Sequence, residues 1–197
     1  MKIIVWNSQD KCVADYHKLI RGCDVLCLLD CGQWTVPVYA LQIQNGLFHW
    51  KDEHEGLSYD IFYCLEKVAF ICRDGLYSGE SVLYSIHSNI GSLVGIRLQD
   101  DFWLFANHES NRSNACHIGE FYLREISDRF RKAAFVADFK EKSYSWAQET
   151  IGGLYCIAPP KGYHPHTINY LFTIHVACTD SVSYTHLRAH ETAANLV

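Results

Sequence analysis

Short apolar runs separated by turn-forming residues recur along most of the chain. They are rich in Val, Ile, Phe, Tyr and Trp and are bounded by Gly, Asn, Asp or Ser, which is the pattern of β-strands. Several are apolar at consecutive positions, which indicates strands that are buried on both faces. The predicted strands are residues 3–6, 24–29, 59–64, 67–72, 81–86, 93–98, 102–108, 133–138 and 168–173.

Two segments have the spacing of amphipathic helices instead. Residues 10–21 place their apolar side chains on one side, and residues 115–131 repeat Ile118, Tyr122, Ile126 and Phe130 at every fourth position with charged residues opposite. The predicted architecture is a β-rich α/β sandwich, in which two mostly antiparallel sheets pack face to face and helices flank them.

Length, composition and charge narrow the class of protein. A chain of 197 residues with 49% hydrophobic residues fits one domain with a sizeable core. The net charge of −5 excludes a broad basic surface for nucleic acid or anionic lipid, so any phosphate contact is expected to be local. No apolar run approaches the roughly 18 residues that span a bilayer, and the amino terminus lacks a secretory apolar segment. The sequence as written predicts a cytoplasmic protein with no membrane partner, and export stays open as an alternative.

The nine cysteines are irregularly spaced and odd in number, which favours buried thiols over a secreted disulfide framework. Cys23, Cys27 and Cys31 fall four residues apart. On a helix they would share one face, but the segment reads as a strand, where four residues span about 13 Å, too far for one metal ion. We therefore expect core thiols there.

The last residues have a different character. The string VSYTHLRAHET resembles the direct translation of a transposase adapter used to prepare sequencing libraries. We therefore expect residues 181–197 to be a non-native tail. On this interpretation residues 1–180 form one domain that is incomplete at its C-terminus, and the H-x₃-H of the tail is no metal motif.

Polar residues at the ends of the predicted strands carry a family resemblance. The motifs IIVWNSQ at Asn7, DVLCLLDCGQW at Asp30, FWLFANHES at His108 and FVADFK at Asp138 resemble, in this order, those of the endonuclease/exonuclease/phosphatase superfamily, whose fold is the DNase I-like four-layer sandwich. Within it, the stretches GSLVGIRLQDDFWLFANHESNRSNA and YCIAPPKGYHPHTINYLFT are similar to the catalytic subunits of cytolethal distending toxins. The order of the motifs is the evidence, because no single motif is decisive.

The resemblance implies a metal-dependent phosphodiesterase, most closely a nuclease that acts on DNA or another phosphate substrate. Such chemistry uses Mg²⁺, or Mn²⁺ or Ca²⁺, with oxygen ligands, a histidine that moves protons, and cationic donors that hold the phosphate. The implied metal ligands are Asn7 and Asp30. The implied catalytic residues are His108, Asp138 and Asn169, and the implied phosphate-binding residues are Arg124, Arg112 and Lys140.

Four positions depart from the family pattern and predict a weakened site. Asp30 replaces a glutamate and has a shorter reach, and Lys140 replaces an asparagine and adds a positive charge near the expected ion. Asn169 replaces an aspartate and cannot stabilise an imidazolium as an anion would. Ser92 replaces an arginine. Metal binding is therefore expected to be weaker than in the family.

Three functions stay open from the sequence: a nuclease with a partly degenerate site, an inactive relative that serves as a binding module, and a phosphomonoesterase on the same fold. Single residues also have simpler readings. His108 can be a buried histidine whose ring nitrogens are hydrogen-bonded within the core. Asp138 can be a turn residue that ends a strand, and the loop around Arg112 can merely cap the next helix.

Overall fold

A computed structural model gives the structure of the chain. It describes residues 1–7, 17–31, 36–53, 55–64, 67–86, 91–108, 112–126, 129–130, 132–138, 155–157, 169–174, 178–182 and 191–196.

Fourteen strands and two helices make up the described elements. The strands are β1 (Lys2–Asn7), β2 (Val25–Leu29), β3 (Leu41–Gln44), β4 (Leu47–Lys51), β5 (Ser58–Cys64), β6 (Val68–Arg73), β7 (Tyr77–Ile86), β8 (Gly91–Leu98), β9 (Phe102–Asn107), β10 (Lys132–Asp138), β11 (Tyr155–Ile157), β12 (Asn169–Ile174), β13 (Cys178–Val182) and β14 (Glu191–Leu196). The helices are α1 (His17–Ile20) and α2 (Arg112–Phe121), and α2 continues as a π-helical turn over Tyr122–Ile126. A 3₁₀ turn, Gln99–Asp101, joins β8 to β9.

The strands form two sheets. Sheet A has eight strands in the order β13-β14-β1-β2-β6-β5-β4-β3, and sheet B has six in the order β11-β12-β10-β9-β8-β7. Neighbouring strands are antiparallel except for one pair in each sheet: β1 and β2 are parallel in sheet A, and β9 and β10 are parallel in sheet B. The predicted pair of mostly antiparallel sheets is confirmed.

The main core lies between the two sheets. Alternate residues of β1, β2 and β6, such as Val5, Cys27 and Phe70, pack with alternate residues of β8, β9 and β10, such as Leu104 and Val136. The opposite faces are covered by the helices. Leu19 and Ile20 of α1 belong to a second apolar cluster on sheet A, and the π-helical turn packs on sheet B through rings described below. This layering buries both faces of the central strands, as their continuous apolar runs predicted.

The helical predictions are confirmed in part. Ile118, Tyr122 and Ile126 are fully buried, as their fourfold spacing predicted. The described part of the second helix extends to Ile126, and Phe130 is partly buried without regular structure, while residues 127–128 and 131 lie outside the described residues. Of the first predicted helix, residues 10–16 lie outside the described residues. Within the described part of the chain, no helix combines the length and apolar character that a bilayer crossing needs.

All nine predicted strands are present, but the β3–β4 hairpin was missed. Its sequence, LQIQNGLFHW, contains the Asn-Gly pair that is a strong signal for a two-residue turn. Gly46 there has φ +76, and a Cβ at this position would lie 2.8 Å from the carbonyl oxygen of Tyr63. The turn therefore requires glycine both for its backbone conformation and for its close contact with β5.

Two further strands lie beside β1. β14 pairs antiparallel with β1 from Lys2 opposite Asn195 to Trp6 opposite Glu191, and β13 pairs with the other side of β14. Strand pairing uses backbone groups that every non-proline residue carries, so it does not depend on which side chains this segment has. The structure thus joins the backbone of Glu191–Leu196 to sheet A, while the adapter origin of residues 181–197 stays a prediction.

The three regularly spaced cysteines are buried thiols. Cys27 lies in the core between the sheets, whereas Cys23 and Cys31 lie in the cluster on the other face of sheet A. The strand covers only Val25–Leu29, so Cys23 and Cys31 lie outside it and need not follow the alternation of its side chains between the two faces of the sheet. Because the three side chains lie on two faces of one sheet, they cannot share a metal ion.

Candidate active site

Asp30 lies where β2 ends and the chain turns. Its backbone is left-handed, with φ 53, a conformation that aspartate adopts more readily than most residues. The next amide, of Cys31, donates a hydrogen bond of 3.3 Å to the carbonyl oxygen of Lys67. This bond ties the turn to the start of β6, the strand that pairs with β2.

Asn7 ends the neighbouring strand at the same level. β1 and β2 are parallel, and Asn7 is in register with Leu29, the residue before Asp30. The carboxyl ends of two adjacent parallel strands thus meet at one edge of sheet A, an arrangement that often carries ligand-binding residues in α/β proteins. The two residues implied as metal ligands are therefore neighbours in the backbone.

Sheet B repeats this arrangement with its own parallel pair. His108 follows directly after β9, and Asp138 is the last residue of β10, whose Ala137 is in register with Asn107. Asp138 is also in register with Asn169 of the antiparallel strand β12. The backbone therefore places the three implied catalytic residues at adjoining strand ends.

The two sheets meet at these ends through Asp30 and His108. Nδ1 of His108 lies 3.6 Å from Oδ1 of Asp30, the imidazole being 6% exposed and the carboxylate 42% exposed. This distance is longer than a direct hydrogen bond but short enough for a strong electrostatic interaction when the imidazole is protonated. A buried histidine and a half-exposed acid from different sheets thus form the centre of the site.

A pocket of about 160 Å³ lies beside His108. One wall comes from the start of β6 in sheet A, and the other comes from β8 and the end of β9 in sheet B. The lining residues are Lys67, Val68, Gly91, Ser92, Val94, Asn107 and His108. The pocket therefore opens between the two sheets, next to the Asp30 and His108 pair.

Two polar residues of this pocket, Lys67 and Asn107, were missed from the sequence. Asn107 is 3% exposed. Its Nδ2 donates a 2.6 Å hydrogen bond to the carbonyl oxygen of Ser92, and its Oδ1 has no hydrogen-bond partner among the described residues. A buried amide oxygen without a donor is costly unless a ligand or water supplies one. The only sequence signal was a polar residue that interrupts the apolar run before His108.

Lys67 brings a positive charge to the same pocket. It is exposed, and it precedes Val68, which is in register with Leu29. The lysine is therefore the cross-strand neighbour of Asp30, although 37 positions separate them in the sequence. This adjacency depends on the pairing of β2 with β6, so no local pattern could have revealed it.

The three residues implied as phosphate contacts have different positions. Arg124 is exposed on the π-helical turn and is not among the residues that line the pocket. Arg112 is the first residue of α2, and Lys140 lies outside the described residues. Ser92, where the family pattern has an arginine, lines the pocket. Among the described residues, the cation that lines the pocket is Lys67, which the resemblance did not imply.

Comparison with known proteins identifies the fold. No protein-family model matches the chain, and no curated protein matches it. The solved proteins that are similar to it over nearly its whole length include the following three. The human Nocturnin catalytic domain with bound sulfate shares 12% identity, with a TM-score of 0.60 and coverage of 100% of this chain and 94% of the other.

The second is a 3′-5′ exonuclease, NExo, from Neisseria meningitidis, with 14% identity, a TM-score of 0.60 and 99% coverage of both chains. Another structure of NExo, described as a 3′ phosphatase, contains a product DNA hairpin. The third is ANGEL2, a 2′,3′-cyclic phosphatase in complex with adenosine-2′,3′-vanadate, with 12% identity, a TM-score of 0.62 and coverage of 99% and 94%. The fold is DNase I-like. At these identities the likeness establishes the fold alone.

Proposed function

We propose that the chain is a divalent-metal-dependent phosphodiesterase that acts as a nuclease. One observation carries the proposal: Asp30 and His108, which lie at the ends of two different sheets, are 3.6 Å apart beside a pocket that Lys67 lines. The order of the sequence motifs, which is similar to that of cytolethal distending toxin subunits, favours DNA as the substrate.

His108 is proposed as the residue that moves the proton. Its imidazole is buried and faces the pocket, so it can accept a proton from water or donate one to the leaving oxygen of a bound phosphate ester. Asp30 stabilises the protonated imidazole by its negative charge. Asp138 and Asn169, at the adjoining strand ends of sheet B, are proposed to support the same reaction.

Oxygen donors at the site fit a hard divalent cation such as Mg²⁺. The half-exposed carboxylate of Asp30 and the amide oxygen of Asn7 are the proposed ligands, and the unpartnered Oδ1 of Asn107 is a further oxygen donor at the pocket. A bound cation would neutralise charge on the phosphate. The short reach of Asp30 and the charge of Lys140 support weak metal binding and slow turnover.

Lys67 is proposed to hold the phosphate. The family arginine is replaced by Ser92, and Lys67 brings a cation to the pocket from the opposite sheet. An ammonium group provides three donors and a full positive charge, which suits the non-bridging oxygens of phosphate. The proposed pocket therefore retains a phosphate-binding cation from a different strand, with Arg112 and Arg124 as more distant candidates.

A phosphomonoesterase is the second candidate. Two of the similar structures are described as phosphatases, a 3′ phosphatase and a 2′,3′-cyclic phosphatase. The pocket of about 160 Å³ is large enough for a phosphate group, so its size does not separate a monoester from a diester. The distinction requires a comparison of substrates.

The test compares bis(p-nitrophenyl) phosphate, p-nitrophenyl phosphate and supercoiled plasmid, each with Mg²⁺ and with chelator. The parent chain is expected to hydrolyse the diester and nick the plasmid slowly, and only with metal. His108→Ala should lower the rate by about 10²-fold or more, as expected for loss of a general acid or base. Asp30→Asn should raise the Mg²⁺ concentration needed for half-maximal rate.

The matched controls are His117→Ala and Asp100→Asn, which change exposed residues of α2 and of the 3₁₀ turn. Both should retain the parent rate. Faster hydrolysis of the monoester than of the diester would favour the phosphatase. Binding of oligonucleotides without any metal-dependent hydrolysis would overturn the proposal and identify a binding module.

A further inference from the structure

Three potential metal ligands converge on sheet A away from the candidate active site. They are His49 on β4, Asp60 on β5 and Asp74 in the turn after β6, and one ligand atom from each lies within 4.8 Å of the others. His49 and Asp60 are half-buried, with side chains 34% and 22% exposed, whereas Asp74 is exposed. The cluster is therefore open on one side.

The backbone holds these residues together. His49 and Asp60 are directly opposite each other in the antiparallel pairing of β4 and β5. The amide of Asp74 donates a 2.9 Å hydrogen bond to the carbonyl oxygen of Ser58, at the start of β5. Adjacent strands fix the positions of all three residues before any ligand binds, which lowers the entropic cost of assembling a site.

The geometry of the closest pair suits a small divalent cation. Nδ1 of His49 and Oδ1 of Asp60 are hydrogen-bonded at 3.0 Å, and a cation bound between them would replace the shared proton. Two ligands at about 2.0–2.1 Å from a tetrahedral zinc ion lie roughly 3.3 Å apart, so this pair needs little movement. Asp74 is exposed in a turn, and its ligand atom lies within 4.8 Å of the other two.

The charge around the cluster favours a cation. Two carboxylates surround one imidazole, and among the described residues no lysine or arginine forms an ion pair with Asp60 or Asp74. The nearby Arg73 pairs with Asp24 instead, at 3.4 Å. With a neutral imidazole, the three side chains together carry a net negative charge, which favours a bound cation.

We propose that His49, Asp60 and Asp74 form a zinc-binding site, with water as the fourth ligand. One imidazole and two carboxylates are a mixed nitrogen and oxygen set, which suits Zn²⁺ better than the all-oxygen set of Mg²⁺ or Ca²⁺. The ion would link β4, β5 and the turn after β6, near the outer edge of sheet A.

This site is separate from the proposed catalytic centre. β6 runs from Val68, beside the pocket, to Arg73, beside the cluster. Val68 and Asp74 are six residue steps apart, which corresponds to about 20 Å along an extended chain. The zinc proposal therefore does not depend on the proposed function, and each can fail alone.

The test is a Zn²⁺ titration of the full chain against a chromophoric chelator, with Co²⁺ absorption as a second readout. The chain has 11 histidines and 9 cysteines, so only differences between variants are informative. His49→Gln and Asp74→Asn should each remove one equivalent of zinc or weaken it at least about tenfold. His117→Ala and Asp100→Asn, on other elements, should leave the titration unchanged.

Asp74→Asn is the decisive variant, because it changes an exposed turn residue and leaves the pairing of β4 and β5 intact. Circular dichroism of each variant confirms that it is folded. If Asp74→Asn and His49→Gln both titrate like the parent, with the same Co²⁺ spectrum, zinc binds elsewhere and the proposal is overturned.

Discussion

At the scale of single residues, the candidate site depends on pairs that are distant in sequence. Asp30 and Lys67 are neighbours because β2 pairs with β6, and Asp30 and His108 meet because two sheets pack together. Opposite charges on adjacent strands can each orient the other. If Lys67 holds phosphate, its loss should affect substrate binding more than the proton transfer assigned to His108.

Lys67→Gln is therefore expected to raise KM for the diester about tenfold, equivalent to ~1.4 kcal/mol, with a smaller change in kcat. Glutamine keeps much of the side-chain length and removes the charge. Steady-state kinetics with bis(p-nitrophenyl) phosphate at fixed Mg²⁺ measure both constants, and competition by inorganic phosphate reports the same pocket without turnover.

The control for this prediction is Lys51→Gln. Lys51 is an exposed lysine of β4 in register with Ser58, at the end of sheet A opposite the pocket. It should leave KM unchanged. Equal effects of the two variants would indicate a general loss of positive charge, and Lys67 would then have no specific role.

At the scale of elements, β7, β8 and β9 pack tightly around a glycine. Gly95 is in register with Val82 on one side and Phe105 on the other. Phe105 is fully buried and contacts the rings of Trp103, Tyr122 and Phe130. The missing side chain of Gly95 thus leaves room for an aromatic cluster that anchors α2 and its π-helical turn on sheet B.

Gly95→Ala is expected to destabilise the protein by ~1–3 kcal/mol, the usual range for overpacking. The added methyl group would lie 2.6 Å from Cδ1 of Phe105 and 3.0 Å from Cγ2 of Val82, so the buried ring would have to shift. Urea unfolding followed by tryptophan fluorescence measures the loss.

Gly22→Ala is the matched control, because its Cβ would meet only ordinary contacts, the nearest at 3.5 Å from the carbonyl oxygen of Leu19. It should change stability by less than about 0.5 kcal/mol. A neutral Gly95→Ala variant would show that the aromatic cluster can repack.

The elements also show what the sequence could predict. Strands that are buried on both faces, such as β2 and β6, were evident as unbroken apolar runs. β3 was missed because all its residues are exposed and its polar residues break the apolar run, although the Asn-Gly turn after it was a usable signal. The order of strands across each sheet is a long-range property, so the lysine beside Asp30 and the cluster at His49 became visible only with the topology.

At the scale of the whole molecule, buried thiols couple stability to pH. Burial raises the pKa of Cys23 from its ordinary value of 9.0 to about 12. Burial also raises the pKa of Cys27 and Cys72, which are completely enclosed. In each case desolvation is the largest cause, because a thiolate without water is strongly disfavoured.

The sign of this coupling follows from proton binding. Between about pH 9 and pH 12 the folded chain keeps protons on these thiols that the unfolded chain releases, so the unfolded state gains stability as pH rises. The contribution of the buried thiols is fully present below pH 9 and is lost as pH increases through the folded pKa values.

We expect the free energy of unfolding at pH 10 to be lower than at pH 8 by roughly 1.4 kcal/mol for each such thiol. Urea unfolding under reducing conditions at several pH values measures this slope. In the Cys23→Ala variant, the decrease in the free energy of unfolding between pH 8 and pH 10 should be smaller by the contribution of one thiol, because alanine has no proton to lose. This holds whether or not the substitution lowers stability at pH 7. A free energy of unfolding that stays constant from pH 8 to pH 10 would contradict this prediction, because it would mean that these thiols ionise as readily in the folded chain as in the unfolded one.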